Sequence, residues 1–218
     1  MDEQATGGDK VRRGYYNIGK ILVEARHGEF NALMTEREKA AGSKSLMGLI
    51  GRSMLYALVC HYKPRVVVES GGNLGMASSF ILKAMQDSGI EEARLYSIER
   101  SKKIVPGSII PEEIKGPYVP VQGDVLDLLQ GDTLPDHIDM FLHDSTHRYG
   151  HMMTEFEAFW PRLRRGGLLV SHDVNMNAAF VDFVSRTYAH DEGGITVPEK
   201  TGHLFWGCFA ELGYVVKA

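Results

Sequence analysis

The chain has 218 residues, of which 44% are hydrophobic and 24% are charged, a composition typical of one globular domain with a full core. Its formal net charge of -4 gives no basic field for nucleic acid or for an anionic membrane surface, so we expect a small-molecule partner. No apolar run approaches the roughly 20 residues of a membrane span, and Met1–Lys10 lacks the apolar core of a signal peptide, which predicts a cytoplasmic protein.

The N-terminal part of the chain predicts helices that follow a short disordered lead. Residues 1–13 are mostly polar and are predicted to be disordered, whereas residues 14–218 are predicted to form a single domain. Between Tyr15 and Glu36 apolar residues recur at helical spacing, which predicts one or two amphipathic helices with Gly28 as a weak point. Ser45 is placed to cap a further helix that runs to His61. These helices, within residues 14–62, precede a core expected at residues 63–218.

A short strand and a glycine-rich turn organise the rest of the chain. The β-branched run Val66–Val68 ends at Glu69, three glycines follow, and good helix formers continue over Met76–Met85. A phosphate-binding loop would need Gly-Lys-Ser or Gly-Lys-Thr, but a methionine follows Gly75. The dinucleotide-binding fingerprint would need a glycine where Ser70 stands. The turn therefore departs from both patterns.

The spacing acid-x-Gly-x-x-x-Gly, from Glu69 to Gly75, resembles motif I of the class I S-adenosylmethionine (SAM)-dependent methyltransferases. The resemblance implies that the glycines pass close to the methionine part of SAM. It also implies that Glu69 helps to hold the amino group of SAM, directly or through water. The cofactor-binding positions implied in this stretch are Glu69, Gly71, Asn73 and Gly75.

After the turn, strands and helices alternate regularly, which predicts a parallel sheet with right-handed crossovers. Further strands are predicted at Leu95–Ile98, Tyr118–Val121, Ile138–Leu142 and Leu168–Val170, and helices at Met152–Arg164 and Met176–Tyr188. An acid follows each strand, and the carboxyl ends of parallel strands are where ligands bind. Residues 194–212 are predicted to form a hairpin. The class predicted is α/β, a Rossmann-like seven-stranded class I methyltransferase sheet with an antiparallel C-terminal hairpin and added N-terminal helices.

Two more acids are candidate cofactor ligands at strand ends. Glu99 closes the second strand, where a carboxylate can accept both hydroxyls of a ribose, although a surface salt bridge with Arg100 would also explain it. Asp124 follows the third strand and resembles the acid that receives the adenine amino group in this superfamily. Its alternative role is to cap a helix over Val125–Leu129, and one side chain could not easily do both.

The densest polar stretch, His143–Tyr149, directly follows the fourth strand. Together with His172 and Asp173 after the fifth strand, it resembles the small-molecule O-methyltransferases whose fourth strand ends in Asp-x-x-His. This group is methyltransferase family 24-like and is similar to macrolide sugar O-methyltransferases and cephalosporin hydroxylase-type proteins. The resemblance covers residues 63–174. It implies that Asp144 contributes to cofactor binding and that His147 is the catalytic residue.

The chemistry of methyl transfer gives these residues definite tasks. Transfer from a sulfonium is an in-line displacement, so the enzyme has to align a hydroxyl with the methyl carbon and remove its proton. His147 is the natural general base, because the unperturbed pKa of histidine, about 6.5, lies near working pH. Asp144 and Asp173 are candidate ligands for Mg²⁺ or Mn²⁺, which would lower the pKa of a bound hydroxyl. His172 departs from the usual oxygen ligands, so the use of a metal stays open.

We therefore predict a SAM-dependent methyltransferase that acts on a hydroxyl of a small molecule, a sugar or a secondary metabolite. Two alternatives remain. The first is a nicotinamide-dependent oxidoreductase, against which Ser70 counts, and the second is a protein that binds the cofactor without transferring a methyl group. In methyltransferases of this kind, added N-terminal helices cover the active site or form a homo-oligomer contact, and core packing explains them equally well.

Overall fold

The computed structural model of the protein describes residues 7–43, 47–189 and 211–217. Seven α-helices are described: α1 (Gly7–His27), α2 (Glu29–Ala40), α3 (Leu49–Tyr62), α4 (Met76–Asp87), α5 (Val125–Leu128), α6 (Tyr149–Phe159) and α7 (Ala179–Ala189). Six strands are described in the same ranges: β1 (Val66–Ser70), β2 (Arg94–Glu99), β3 (Tyr118–Gln122), β4 (Ile138–His143), β5 (Leu163–Ser171) and β6 (Gly213–Val216). None of the described helices combines the length and apolar character needed to cross a bilayer.

The strands form one sheet in the order β3-β2-β1-β4-β5-β6. Strands β1 to β5 are parallel to their neighbours, and β6 pairs antiparallel with β5. The chain reverses its direction of winding between β1 and β4, where Ser70 lies beside His143. In open parallel sheets ligands bind at such a reversal, beyond the carboxyl ends of the strands. The sheet therefore predicts a site where β1, β2 and β4 end.

Alternate residues of the strands pack on opposite faces of the sheet. On one face Val67 and Leu142 contact a core built mainly from α3 and α4. On the other face Val68 and Phe141 pack with the aromatic side chains of α6 and α7. Because successive strand residues point to opposite sides, the apolar runs in β1 and β4 supply both cores at once.

These features confirm the predicted Rossmann-like α/β class and its antiparallel C-terminal end. Six strands of the predicted seven are described, and most of the hairpin expected at residues 194–212 lies outside the described residues. The predicted break at Gly28 is confirmed, since α1 ends at His27 and α2 begins at Glu29. The cap predicted at Ser45 lies outside the described residues, and α3 begins at Leu49 after an extended Gly48.

Two predicted boundaries are wrong. The lead expected to be disordered through Arg13 is helical from Gly7, because the spacing of Val11 and Tyr15 continues the apolar pattern of the helix beyond them. The helix expected to run to Arg164 ends at Phe159, since Pro161 has no backbone N–H with which to continue the helical hydrogen bonds. Of the basic residues that follow, Arg164 and Arg165 belong to β5, where Arg164 binds Asp139 of the neighbouring strand.

Candidate active site

A cleft opens at the carboxyl ends of β1, β2 and β4. One wall is the glycine turn and a second is the segment after β4, while the N-terminal region contributes Glu38 of α2 and Met47, which precedes α3. The predicted site residues that line it are Gly71, Asn73, Glu99, Asp124, Asp144 and His147. The order of the strands in the sheet therefore brings together residues as far as 76 positions apart in the sequence, from Gly71 to His147.

The glycines of the turn are needed because other backbone segments approach them. Gly71 has a φ of +87°, and a Cβ built there would lie 2.1 Å from the backbone oxygen of Asp144. Gly75 has a φ of +99°, and a Cβ there would lie 2.7 Å from Ile110. A side chain at either position would therefore require both an unfavourable backbone conformation and a displaced neighbour. Glycine at these two positions therefore allows the turn to pack closely against the neighbouring segments.

Glu69 lies beneath the glycine turn and is not among the described residues that line the cleft. Its side chain is fully buried, and its Oε2 accepts hydrogen bonds from Ser78 at 2.5 Å and from Ser97 at 2.6 Å. Burial raises the pKa of Glu69 to about 7, although the two hydroxyl donors oppose this shift. The geometry therefore gives Glu69 a position under the turn, where its Oε1 has no hydrogen-bond partner among the described residues. Its role toward the cofactor amino group, directly or through water, stays a prediction.

Glu99 is held at the end of β2 by backbone donors on both sides. Its Oε2 accepts from the backbone nitrogen of Asn73 at 2.9 Å, and its Oε1 accepts from that of Ser101 at 2.6 Å. Only 8% of the residue is exposed, yet it lines the cleft. Fixed in this way, the carboxylate keeps lone pairs available for a ligand hydroxyl. Asn73 thus acts through its backbone, which links the glycine turn to β2.

Asp124 caps the short helix α5, as the alternative interpretation predicted. Its Oδ1 accepts from the backbone nitrogen of Leu126 at 3.0 Å, and its Oδ2 lies 3.6 Å from Arg100. The residue nevertheless lines the cleft, and the capping bond leaves Oδ2 on the side of Arg100. Because Arg100 is 70% exposed, this ion pair contributes little to stability.

The predicted base His147 lies between two carboxylates. Its Nδ1 is 3.3 Å from Oδ2 of Asp173, and its Nε2 is 3.8 Å from Oδ1 of Asp144. Among the described residues Nε2 has no hydrogen-bond partner, although it is buried. Burial lowers the pKa of His147, and the two neighbouring carboxylates only partly oppose this effect. The ring is therefore oriented by Asp173 and presents a free nitrogen.

His172 is completely buried and surrounded by acids. Its Nδ1 lies 2.9 Å from Asp144 and 3.6 Å from Asp173, and its Nε2 lies 3.2 Å from Glu211. Burial opposes a charge on this ring, but the three carboxylates outweigh it and raise the pKa of His172 to about 9. Positive charge is therefore stabilised at this point between β4 and β5.

The predicted metal ligands Asp144 and Asp173 both lie beside His172, whose Nδ1 is 2.9 Å from Asp144 and 3.6 Å from Asp173. Two groups of possible ligand atoms, each within 4.8 Å of one another, exist among the described residues: Asp144 with His147 and His172, and His172 with Asp173 and Glu211. The two aspartates fall in different groups, and an imidazole lies between them. Magnesium requires oxygen ligands in near-octahedral geometry, so this donor set does not fit it.

A buried polar network in the wall of the cleft was missed in the sequence. Glu155 of α6 is fully buried, and its Oε2 binds His143 at 2.7 Å and the hydroxyl of Ser70 at 2.6 Å. Its Oε1 binds His151 at 2.7 Å and the hydroxyl of Ser145 at 2.8 Å. The only signal in the sequence was the i,i+4 spacing of His151 and Glu155 on the predicted helix.

The N-terminal helices contribute a second buried group at the rim. Arg52 of α3 is 7% exposed, donates to the hydroxyl of Thr35 at 2.9 Å, and lies 4.0 Å from Glu38. It also contacts Met76 at the start of α4. The N-terminal helices are therefore fastened to the helix that follows the glycine turn, which places Glu38 over the cleft. This supports the interpretation that they cover the site.

The chain is similar to known methyltransferases in sequence and in fold. A family model described as a methyltransferase domain matches residues 68–174, the segment from β1 to just beyond β5. No curated protein gives a significant match to the chain. Because the matched segment contains the glycine turn, Glu99, Asp124 and His147, it includes most of the cleft described above.

Solved structures share the fold at low sequence identity. The O-methyltransferase TomG from Streptomyces achromogenes, involved in tomaymycin synthesis and solved with SAM, is 16% identical, with 100% of both chains covered and a TM-score of 0.64. An O-methyltransferase from Bacillus cereus is 17% identical, with 85% of this chain and 91% of that chain covered and a TM-score of 0.58. A methyltransferase from Geobacter sulfurreducens is 19% identical, with 94% and 96% covered and a TM-score of 0.60.

The strand order, the acid-x-Gly-x-x-x-Gly turn and the match over residues 68–174 lead to the same conclusion: the chain contains a methyltransferase domain and has the fold of solved O-methyltransferases.

Proposed function

We propose that this methyltransferase transfers the methyl group of SAM to a hydroxyl of a small molecule, a sugar or a secondary metabolite, and that His147 removes the hydroxyl proton. The proposal rests on the position and the hydrogen bonding of the His147 ring. Its Nε2 is buried in the cleft wall without a hydrogen-bond partner among the described residues, while its Nδ1 faces Asp173 at 3.3 Å. Similar solved structures named as O-methyltransferases support an oxygen acceptor.

The residues of the chain divide the work along the cleft. Glu99 is positioned to accept the ribose hydroxyls of SAM, because backbone donors fix both of its oxygens at the end of β2. The glycine turn allows the methionine part of SAM to approach the backbone between Gly71 and Gly75. SAM, when bound, supplies the methyl group on a sulfonium, which leaves as a neutral thioether.

His147 then acts on the acceptor. Its Nε2 accepts the proton of the hydroxyl as the oxygen attacks, and Asp173 stabilises the imidazolium that forms through Nδ1. Asp144 lies on the other side of the ring and completes the wall next to the glycine turn. No step is assigned to magnesium, because the donor set does not fit that ion.

The test combines SAM binding with turnover. We expect SAM to bind the purified protein in calorimetric titration, and S-adenosylhomocysteine to form with at least one class among phenols, catechols and sugars. His147→Ala should keep the dissociation constant for SAM but lower turnover by about 10²–10⁴-fold, the usual contribution of a general base. The exposed His137 provides a matched control, His137→Ala, with unchanged turnover.

Two results would contradict the proposal. Turnover that survives in His147→Ala would remove this residue from proton transfer. SAM binding without product from any acceptor class would instead favour the alternative of a cofactor-binding protein that has lost transfer chemistry.

A further inference from the structure

We infer that Asn177, in the segment between β5 and α7, is a positioning residue that holds the backbone of His147 in place for the reaction. The effect on turnover rests on the proposed function, because it requires His147 to be the base. Asn177 lies outside residues 68–174, the part of the chain that matches the methyltransferase domain.

The side-chain amide of Asn177 joins α7 to the segment that follows β4. Its Oδ1 accepts a hydrogen bond from the backbone nitrogen of Ala179 at 2.9 Å, which caps the first turn of α7. Its Nδ2 donates to the backbone oxygen of His147 at 3.3 Å and to Sδ of Met152 at 3.3 Å. One amide therefore links the start of α7 to the residue proposed as the base.

The cap determines which way this amide points. A backbone N–H can only donate, so the atom of Asn177 that faces Ala179 has to be the amide oxygen. The amide nitrogen is then directed at the carbonyl of His147, which can only accept. The hydrogen-bond pattern therefore distinguishes the two ends of the amide.

The backbone at His147 has few other attachments. Outside the regular helices and strands, residues 144–147 make two backbone hydrogen bonds among the described residues, one to the end of β1 and one to the nitrogen of Arg148. Helix α6 begins after Arg148, so the carbonyl of His147 lies outside the helical hydrogen bonds. Asn177 supplies a donor for this carbonyl.

The His147 ring depends on this backbone contact because the ring itself is held on one side only. Its Nδ1 faces Asp173 at 3.3 Å, whereas its Nε2 has no hydrogen-bond partner among the described residues. A displacement of about 1 Å at a reacting group can lower a rate about 100-fold. A contact that fixes the backbone of His147 therefore bears on the rate of proton removal.

Helix α7 has a second link to the same region, and that link is weaker. The hydroxyl of Tyr149 donates to Asp182 at 2.8 Å. Water competes for this hydrogen bond, because 39% of Tyr149 is exposed. By contrast, Nδ2 of Asn177 also lies against Met152, which is completely buried. The contact made by Asn177 is therefore the stronger constraint on this segment.

Replacements of Asn177 separate its two contacts. Serine is about as good a helix cap as asparagine but is too short to reach His147, whereas alanine removes the cap and the donor together. We expect Asn177→Ser to keep the thermal midpoint of the wild type and Asn177→Ala to lower it. Both should lower kcat about 10- to 100-fold, with the acceptor KM and the SAM dissociation constant within about threefold of the wild type. Asn175→Ser is the matched control, because Asn175 is exposed in the same segment.

Asn177→Asp provides a second variant that retains the cap. Its carboxylate keeps an oxygen toward Ala179, but it places the other oxygen against the carbonyl oxygen of His147, so repulsion replaces the hydrogen bond. The kcat should therefore fall at least as far as in Asn177→Ser, with the thermal midpoint of the wild type.

A measurement on the His147 ring requires no acceptor. Imidazole signals are recorded in ¹³C–¹H NMR spectra of the full chain at a single pH, and the signal of His147 is the one that disappears in His147→Ala. We expect Asn177→Ser to shift or broaden this signal and Asn175→Ser to leave it unchanged.

Two results would overturn the inference. The first is turnover that follows stability, normal in Asn177→Ser and low only in Asn177→Ala, because Asn177 would then act as a helix cap alone. The second is an unchanged His147 signal in Asn177→Ser. A wild type that binds SAM but methylates none of the acceptors would instead contradict the proposed function, and the NMR comparison would still decide whether Asn177 positions His147.

Discussion

Glu155 provides the sharpest test of the buried network, through the replacement Glu155→Gln. Burial alone would raise the pKa of this carboxyl, but the donors His143, His151 and Ser70 lower it from 4.5 to about 2. This difference corresponds to about 3 kcal/mol of stability. Because folding depresses the pKa, the contribution is fully present above the unfolded pKa of 4.5 and is lost as the pH falls through about 2.

The assay is urea unfolding followed by circular dichroism at pH 7 and at pH 3. We expect the glutamine variant to have a lower free energy of unfolding than the wild type by about 3 kcal/mol at pH 7 and by only about 1 kcal/mol at pH 3. Glu157→Gln is the matched control, because Glu157 lies on the exposed side of the same helix and should change the free energy by less than about 0.5 kcal/mol. An equal deficit of Glu155→Gln at both pH values would refute the reasoning from charge.

Three further predictions test separate parts of the fold and the cleft. Glu99→Ala should weaken SAM binding at least about 100-fold in calorimetry, because charge-assisted hydrogen bonds are worth about 1.5–3 kcal/mol each, and a loss below tenfold would contradict the ribose role. Gly71→Ala should destabilise the protein by about 3 kcal/mol or more in urea unfolding, since its Cβ would strike the backbone of Asp144. Gly89→Ala is the control: it has a φ of +59° and no described atom within 4 Å, and it should lower the free energy of unfolding by only about 1–2 kcal/mol. Asp139→Asn should lower the unfolding free energy by about 1–2 kcal/mol, because two backbone nitrogens at 2.7 and 2.9 Å donate to its carboxylate; an unchanged urea midpoint would contradict this.

Most of the fold could be predicted because its signals are local. The run Val66–Val68 and the glycines after it define a strand, a turn and a helix within 15 residues, and the later strands repeat the pattern. The ends of the helices and strands were predicted less accurately, because they depend on contacts with other parts of the chain. Leu163 and Arg164 were predicted as helix, yet they belong to β5, and only the tertiary structure shows that Ile138 lies opposite Leu163.

The site was predictable where its residues stand at strand ends. Glu99, Asp124 and His147 all line the cleft, since the carboxyl ends of parallel strands meet at one edge. Side-chain direction was not predictable in the same way. Glu69 points beneath the turn toward two serines. Asp173 faces His147 and belongs to a different group of possible metal ligands from Asp144. Such choices depend on packing between segments distant in sequence.

The buried network also explains how a loop can hold a catalytic ring in place. His147 stands in the segment between His143, the last residue of β4, and His151, in the first turn of α6. Both histidines bind the same carboxylate, Glu155, which also accepts a hydrogen bond from Ser70 at the end of β1. The loop is therefore fixed at both ends to a single buried charge that is itself tied to the glycine turn. A loss of that charge would change the position of His147 relative to the cofactor cleft as well as the stability of the fold, which makes Glu155 a positioning residue for the proposed reaction.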